Sequence, residues 1–328
     1  MNTPVILIDG GTTNVRVTLL DGHGLPLDTV KKEAGVAHTA MDGHNGRLKE
    51  AVREAISGLT DKYGIKKGDS VPCVAYGMIT SREGLYEVPH LAAPADAADL
   101  RSAMVSRSFD DITDFPIRFI PGVKNMAGKA DLSNFSQMDM MRGEETEAVG
   151  LWRLLAPARA CLFLLPGSHN KLTRMDETGR IMGCMTTMSG ELLSVLTNHT
   201  ILSSAVGHLF ATAETYDRDM ALAGFREAEK MGLGRAAFAG RILSTLGGLP
   251  PEKIASYLLG AVLSTDIQAI KAFCGGGLPL FIAGKQPLKQ ALADVAQAAG
   301  LMGAAAVADD LCARMGIAGA LHIAGLTV

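Results

Sequence analysis

The sequence predicts an α/β protein built from two domains, and three observations point that way. A chain of 328 residues has room for two hydrophobic cores. It opens on two apolar runs, Val5-Ile6-Leu7-Ile8 and Val15-Arg16-Val17-Thr18-Leu19-Leu20, joined by the polar stretch Asp9-Gly10-Gly11-Thr12-Thr13-Asn14. The order of strand and helix signals that starts there is met a second time in the latter half of the chain. Residues 125–137 between them are rich in Gly, Ser and Asn and lack periodicity, so the domains are expected at 1–140 and 141–328.

The opening runs read as antiparallel strands and the polar stretch as their turn. Residues 27–33 predict a third strand. Leu48, Val52, Ala55, Ile56, Leu59 and Tyr63 recur at helical spacing and predict a helix. Val71-Pro72-Cys73-Val74-Ala75-Tyr76 is a short strand ending at Gly77, residues 96–105 a weaker helix, and Ile117-Arg118-Phe119-Ile120 a strand stopped by Pro121-Gly122. In the second half Cys161-Leu162-Phe163-Leu164-Leu165 predicts a strand and Pro166-Gly167-Ser168-His169-Asn170-Lys171 a turn. A hairpin over 172–175 and 180–184 follows. Helices are expected from Gly190 on, with candidates at 214–230, 236–245 and 251–273. Pro279-Leu280-Phe281-Ile282-Ala283 is a strand ended by Gly284, with a helix after Pro287. Residues 304–308 suggest a last strand before a closing helix. The halves share element order and no sequence repeat.

Composition narrows the function. A net charge of −3 with dispersed Lys and Arg disfavours nucleic acid as partner. No apolar segment reaches the length of a membrane span, and the N-terminus has strand character in place of a signal peptide. The five cysteines lie far apart without C-x-x-C, which predicts buried thiols in a reducing cytoplasm. The eight histidines lack paired metal-ligand spacing.

Four clusters could carry chemistry. In the first, Gly10 and Gly11 let the backbone approach a polyanion, while Thr12, Thr13 and Asn14 offer donors to phosphate oxygens. Asp9, at the strand end, is placed to hold a hydrated Mg²⁺. The alternative is an ordinary Gly-rich β-turn. The second cluster is Arg142-Gly143-Glu144-Glu145-Thr146-Glu147, opening an apolar helix. Acidic residues also suit a first helical turn on dipole grounds alone. Functionally, Glu145 or Glu144 could take a proton as general base, with Glu145 favoured. The third is the turn around Gly167 and Ser168, where Lys171 or His169 could neutralise a transferring phosphoryl group. The fourth, Thr186-Thr187-Met188-Ser189-Gly190-Glu191-Leu192, reads as a helix start with Ser189 as N-cap. Gly284 ends a strand ahead of a helix.

A strand–turn–strand of this kind at the N-terminus resembles the phosphate-binding hairpin of the sugar kinase/actin superfamily. More narrowly, the chain resembles the 2-dehydro-3-deoxygalactonokinase (2-keto-3-deoxygalactonate kinase) family. The resemblance rests on Ile8-Asp9-Gly10-Gly11-Thr12-Thr13-Asn14-Val15-Arg16, Glu33-Ala34-Gly35-Val36, Met141-Arg142-Gly143-Glu144-Glu145-Thr146, Pro166-Gly167-Ser168-His169-Asn170-Lys171, Met188-Ser189-Gly190-Glu191-Leu192 and Ala283-Gly284-Lys285-Gln286-Pro287-Leu288. Two positions depart: Gly10 stands where the family has Trp, and Leu172 where an aromatic residue often follows the lysine.

The resemblance implies two actin-like (ribonuclease H-like) domains with a central cleft. It further implies ATP- and Mg²⁺-dependent phosphorylation of 2-dehydro-3-deoxy-D-galactonate, a small 2-oxo acid, at its 6-hydroxyl. Asp9 would hold the metal and Glu145 or Glu144 act as base. Gly10, Gly11, Thr12, Thr13, Asn14, Gly167, Ser168, Lys171 and Gly284 would face ATP, the last under the adenine. Arg16, Arg142, His169 and Glu191 would face the keto acid, a guanidinium gripping its carboxylate. The Gly143-Glu144-Glu145 segment also leaves an exopolyphosphatase-like hydrolase, and the hairpin a non-catalytic nucleotide-binding sensor, as alternatives. A homodimer stays open.

Overall fold

Val5–Gly10 (β1) is buried on both faces, as a strand covered by helices on either side must be. The computed structural model, which describes residues 3–275, 277–301 and 303–326, places it in the middle of a six-stranded sheet. Val15–Leu20 (β2) returns antiparallel to it with Asp9 opposite Arg16. Pro26–Lys32 (β3) pairs with β2 at the sheet edge, where its residues are largely exposed. Val36–Asp42 (α1) is a short helix absent from the sequence reading. Gly46–Tyr63 (α2) turns Leu48, Val52, Ala55, Ile56 and Leu59 of the expected stripe into the core, while its last member, Tyr63, is exposed. Cys73–Gly77 (β4) lies parallel to β1. After Leu91–Ala92 (β5) comes Ala97–Ser102 (α3), whose first amides Asp96 caps.

Residues 96–105 do not make one helix. The helix stops at Ser102, and Val105–Phe109 (β6) runs antiparallel to Thr113–Phe119 (β7). At a sheet edge, Ser106, Arg107 and Ser108 face solvent, so β6 shows no apolar alternation for a sequence reading to find. The sheet order is β3-β2-β1-β4-β7-β6. Val123–Lys124 (β8) and Met140–Met141 (β9) form a small sheet with β5. Glu144–Leu155 (α4) follows at once.

A second sheet repeats the plan. Cys161–Leu165 (β10) is buried throughout, Asn170–Met175 (β11) returns antiparallel, and Ile181–Thr187 (β12) lies beside it. Ser189–His199 (α5), Ser203–Val206 (α6), Arg218–Met231 (α7), Leu233–Thr245 (α8) and Pro251–Cys274 (α9) follow. Then come Leu280–Ile282 (β13), parallel to β10, and Leu288–Ala298 (α10) and Ala305–Ala306 (β14). The order β12-β11-β10-β13-β14 matches β3-β2-β1-β4-β7 element for element.

The chain divides into two compact units. The first holds the described residues through 158, with 178–184 and those from 313 onward; the second holds 159–177 and 185–312. The sequence reading set the division after residue 140, which assigned α4 to the second domain. The closing helix Asp309–Ala324 (α11) explains the difference. A Cβ on its Gly319 would lie 1.8 Å from the Thr146 carbonyl oxygen, and one on Gly150 1.8 Å from that of Met315. Glycine on both helices therefore lets α4 and α11 meet backbone to backbone in the first unit. A contact between residues this far apart in sequence leaves no local signal.

Candidate active site

The first unit gathers its polar groups at the C-terminal end of β1. Asp9 pairs with Arg16 across the hairpin at 3.6 Å. Burial raises the Asp9 carboxyl above its ordinary range, and the Arg16 guanidinium opposes the shift. The turn is held from behind. The Gly11 amide donates to the Asn14 carbonyl at 2.8 Å, while Ala37 and Val36 at the start of α1 donate to Thr12 and Gly11 carbonyls at 2.9 and 3.3 Å. This is what Glu33-Ala34-Gly35-Val36 does: a Cβ on Gly35 would fall 2.3 Å from the Thr12 oxygen. With its carbonyls tied down, the turn presents the exposed Thr12 and Thr13 side chains outward. Their amides have no partner among the described residues. Gly10 is closed in, since a Cβ there would lie 2.5 Å from the Cβ of Ile79. At the position where the resemblance implies Trp, this backbone would set a Cβ onto Ile79.

The first turn of α4 brings the acidic cluster to the same place. A Cβ on Gly143, at φ +115°, would lie 3.1 Å from the Gly77 Cα, and one on Gly77 would lie 3.6 Å from Oδ1 of Asp9. Glu145 is wholly buried; its Oε2 accepts the Gly143 amide at 2.7 Å and its Oε1 the Thr146 hydroxyl at 3.0 Å. Burial, reinforced by Glu144, pushes its carboxyl up to about 8. Glu144 accepts the Arg142 amide at 3.0 Å. Glu147, a member of the acidic cluster to which the sequence assigns no role, is also pushed to about 8, by burial first and then by Glu144, Asp9 and Glu145. Its spacing of three from Glu144 puts it on the same helical face, the one signal that could have found it.

Arg142 is differently placed from expectation. Its Nη1 donates to the Thr80 carbonyl at 2.7 Å and the Thr80 hydroxyl at 2.6 Å; its Nη2 donates to the Val88 carbonyl at 3.0 Å and meets His90 Nδ1 at 3.1 Å. Both terminal nitrogens are engaged in clamping the 80–90 segment, so this geometry does not offer the guanidinium to a substrate carboxylate.

In the second unit the turn after β10 is tied differently. The Gly167 amide donates to Asn170 Oδ1 at 3.0 Å, which removes it from the donors available to phosphate. Ser168 and His169 amides have no partner among the described residues. His169 Nε2 meets Glu191 Oε1 at 2.9 Å. Gly190 abuts the turn: a Cβ would lie 2.2 Å from the Gly167 oxygen. The helix begins at Ser189 with Met188 as its cap, one residue earlier than expected for the cap. Lys171 is buried, and its amine donates to the Thr186 hydroxyl. Gly284 sits against Pro166, with a Cβ there 2.8 Å from the proline Cγ. Among the described residues, no three His, Cys, Asp or Glu are set to hold a metal ion together.

Comparison with known proteins agrees with this arrangement of motifs. The model of the 2-keto-3-deoxy-galactonokinase family matches residues 9–320. The chain belongs to that family. A 2-dehydro-3-deoxygalactonokinase of Escherichia coli K12 is 27% identical over 278 residues, 83% of this chain and 82% of the relative. A crystal structure of a candidate 2-dehydro-3-deoxygalactonokinase from Sinorhizobium meliloti superposes with a TM-score of 0.77 at 24% identity, over 97% of this chain and 98% of that one. Component A of the Acidaminococcus fermentans (R)-2-hydroxyglutaryl-CoA dehydratase shares the fold at a TM-score of 0.51 and 13% identity, covering 98% and 96%. The fold of this 2-keto-3-deoxy-galactonokinase family member is thus α/β and actin-like, and no described helix is long and apolar enough to cross a membrane.

Proposed function

We propose that this chain transfers the γ-phosphoryl group of ATP to the 6-hydroxyl of 2-dehydro-3-deoxy-D-galactonate. The observation that carries the proposal is the packing of the α4 first turn, with Glu144, Glu145 and Glu147, against the Asp9 end of β1 in a chain of this kinase family. A phosphoryl acceptor needs a base held against its hydroxyl, and the phosphates need donors fixed in advance. Glu145 is assigned the base: burial and Glu144 make it a stronger proton acceptor than an ordinary carboxylate once ionised. Thr12, Thr13, Ser168 and His169 amides are assigned to phosphate oxygens, with Lys171 as the cation beside the second turn.

The residues present fit one hydrated Mg²⁺ at Asp9. It is a single, partly exposed carboxylate at a strand end, and Mg²⁺ keeps several waters and shares the substrate phosphates. The ion, when bound, would neutralise charge on those phosphates. With Arg142 engaged in the 80–90 segment, the keto-acid carboxylate is assigned to Arg16, whose side chain is half exposed. The five free cysteines and the use of ATP agree with work in the cytoplasm.

The test is a coupled ADP-release assay on 2-keto-3-deoxygalactonate, 2-keto-3-deoxygluconate and simple hexoses with Mg²⁺. Turnover on the galactonate derivative above the others supports the reading. ATP turnover indifferent to the keto acid, or turnover only on hexoses, sinks it.

A further inference from the structure

Asp266 follows Ser264-Thr265 in the C-terminal half of α9, on a helix whose Leu259, Leu263, Ile267 and Ile270 are buried, and only 1% of it is exposed. A carboxylate in such a place needs partners or a reason. Its Oδ1 accepts Asn170 Nδ2 at 3.0 Å and also the Thr187 hydroxyl. Its Oδ2 has no hydrogen-bond partner among the described residues. Asn170, equally buried, turns its Oδ1 to the Gly167 amide at 3.0 Å. A continuous chain of contacts thus runs from the long helix to the backbone of the second turn. Thr187, at the end of β12, ties the entry to α5, whose Gly190 closes on the same turn.

We propose that Asp266 is the positioning residue of the second phosphate turn: through Asn170 it pins the Gly167 amide inward, which fixes the Ser168 and His169 amides in the orientation that receives phosphate. The proposal rests on the nucleotide reading given above. Asp266 would touch no substrate. Without it Asn170 is free to turn its amide, Gly167 loses its acceptor, and the donors lose their fixed direction. A preorganised donor set is worth more than the same donors left mobile. Oδ1 carries the bonds to Asn170 and Thr187, and burial raises the Asp266 carboxyl above its ordinary range, although the Ser189 and Thr187 hydroxyls and the Asn170 amide oppose the shift. An uncharged side chain with one oxygen in that place should therefore serve as well.

The test compares Asp266→Asn, Asp266→Ala and Asn170→Ala for binding of Mg-ADP and of adenosine by calorimetry, together with thermal unfolding. Asp266→Asn should bind Mg-ADP like the parent. The two alanine variants should bind it about tenfold or more weakly, the equivalent of one hydrogen bond, while adenosine affinity is unchanged. If Asp266→Ala does not fold, Asn170→Ala carries the same comparison with α9 intact. Equal losses for adenosine and Mg-ADP, or an alanine variant with parental Mg-ADP affinity, would overturn the proposal. A parent protein that binds no Mg-ADP would overturn the nucleotide reading as well, and so is a separate outcome.

Discussion

Arg142 Nη1 lies 2.7 Å from the carbonyl oxygen of Thr80 and 2.6 Å from its hydroxyl, so the arginine that introduces the acidic cluster is bonded to the segment following β4. Lysine keeps the charge but not the fork. Arg142→Lys should therefore cost about 3 kcal/mol of stability and lower kcat, with the KM for keto acid and for ATP changing to a similar degree. Thermal unfolding beside steady-state kinetics checks this. An unchanged melting temperature with a rise confined to the keto-acid KM would return Arg142 to the substrate.

Glu145 is buried and bonded to the Gly143 amide and the Thr146 hydroxyl. If it is the base, Glu145→Gln should lower kcat by ~10²–10⁴-fold with smaller changes in KM. Because the base works only when ionised and its carboxyl is pushed to about 8, parental kcat should climb with pH up to that region and level off above it. The pH–rate profile and parallel measurements on Glu144→Gln and Glu147→Gln decide the assignment. A larger loss in either of the latter would move the base there.

The same carboxyls make stability depend on pH. Glu145 and Glu147 titrate near 8 in the folded protein against an ordinary value of 4.5, so the folded state holds their protons more tightly than the unfolded chain. Their contribution is fully present below pH 4.5 and is lost as pH rises through about 8. Glu145→Gln removes one of the two groups. Its melting temperature should gain on the parent from pH 5 to pH 9, by about 2–4 °C for each kcal/mol relieved. Parallel melting curves for parent and variant across that range would refute the shifted carboxyl.

Gly35 has an extended backbone at φ −116° that any residue adopts, so its constraint is contact alone. A methyl group 2.3 Å from the Thr12 oxygen must push the first turn or α1 aside. Gly35→Ala should cost about 1–3 kcal/mol, as overpacking does, and raise the KM for ATP more than that for the keto acid. Equal kinetics in the variant would show that the turn tolerates displacement.

What the sequence determined by itself is whatever depends on short-range chemistry. The apolar runs of β1 and β10, the α2 stripe, the two polar turns and the acidic first turn of α4 are each legible within a dozen residues, because strand burial, helical period and turn composition are local properties. The repeated element order followed from these. Tertiary structure decided the rest. Whether Arg142 faces a ligand or the Thr80 and Val88 carbonyls depends on where another segment lies. That Asp266 reaches Asn170 depends on a pairing 96 positions apart. That α4 belongs with the first unit depends on α11 meeting it through Gly150 and Gly319. Donors are distributed by sequence, but which of them are left for a substrate is settled only when distant backbone oxygens have taken theirs.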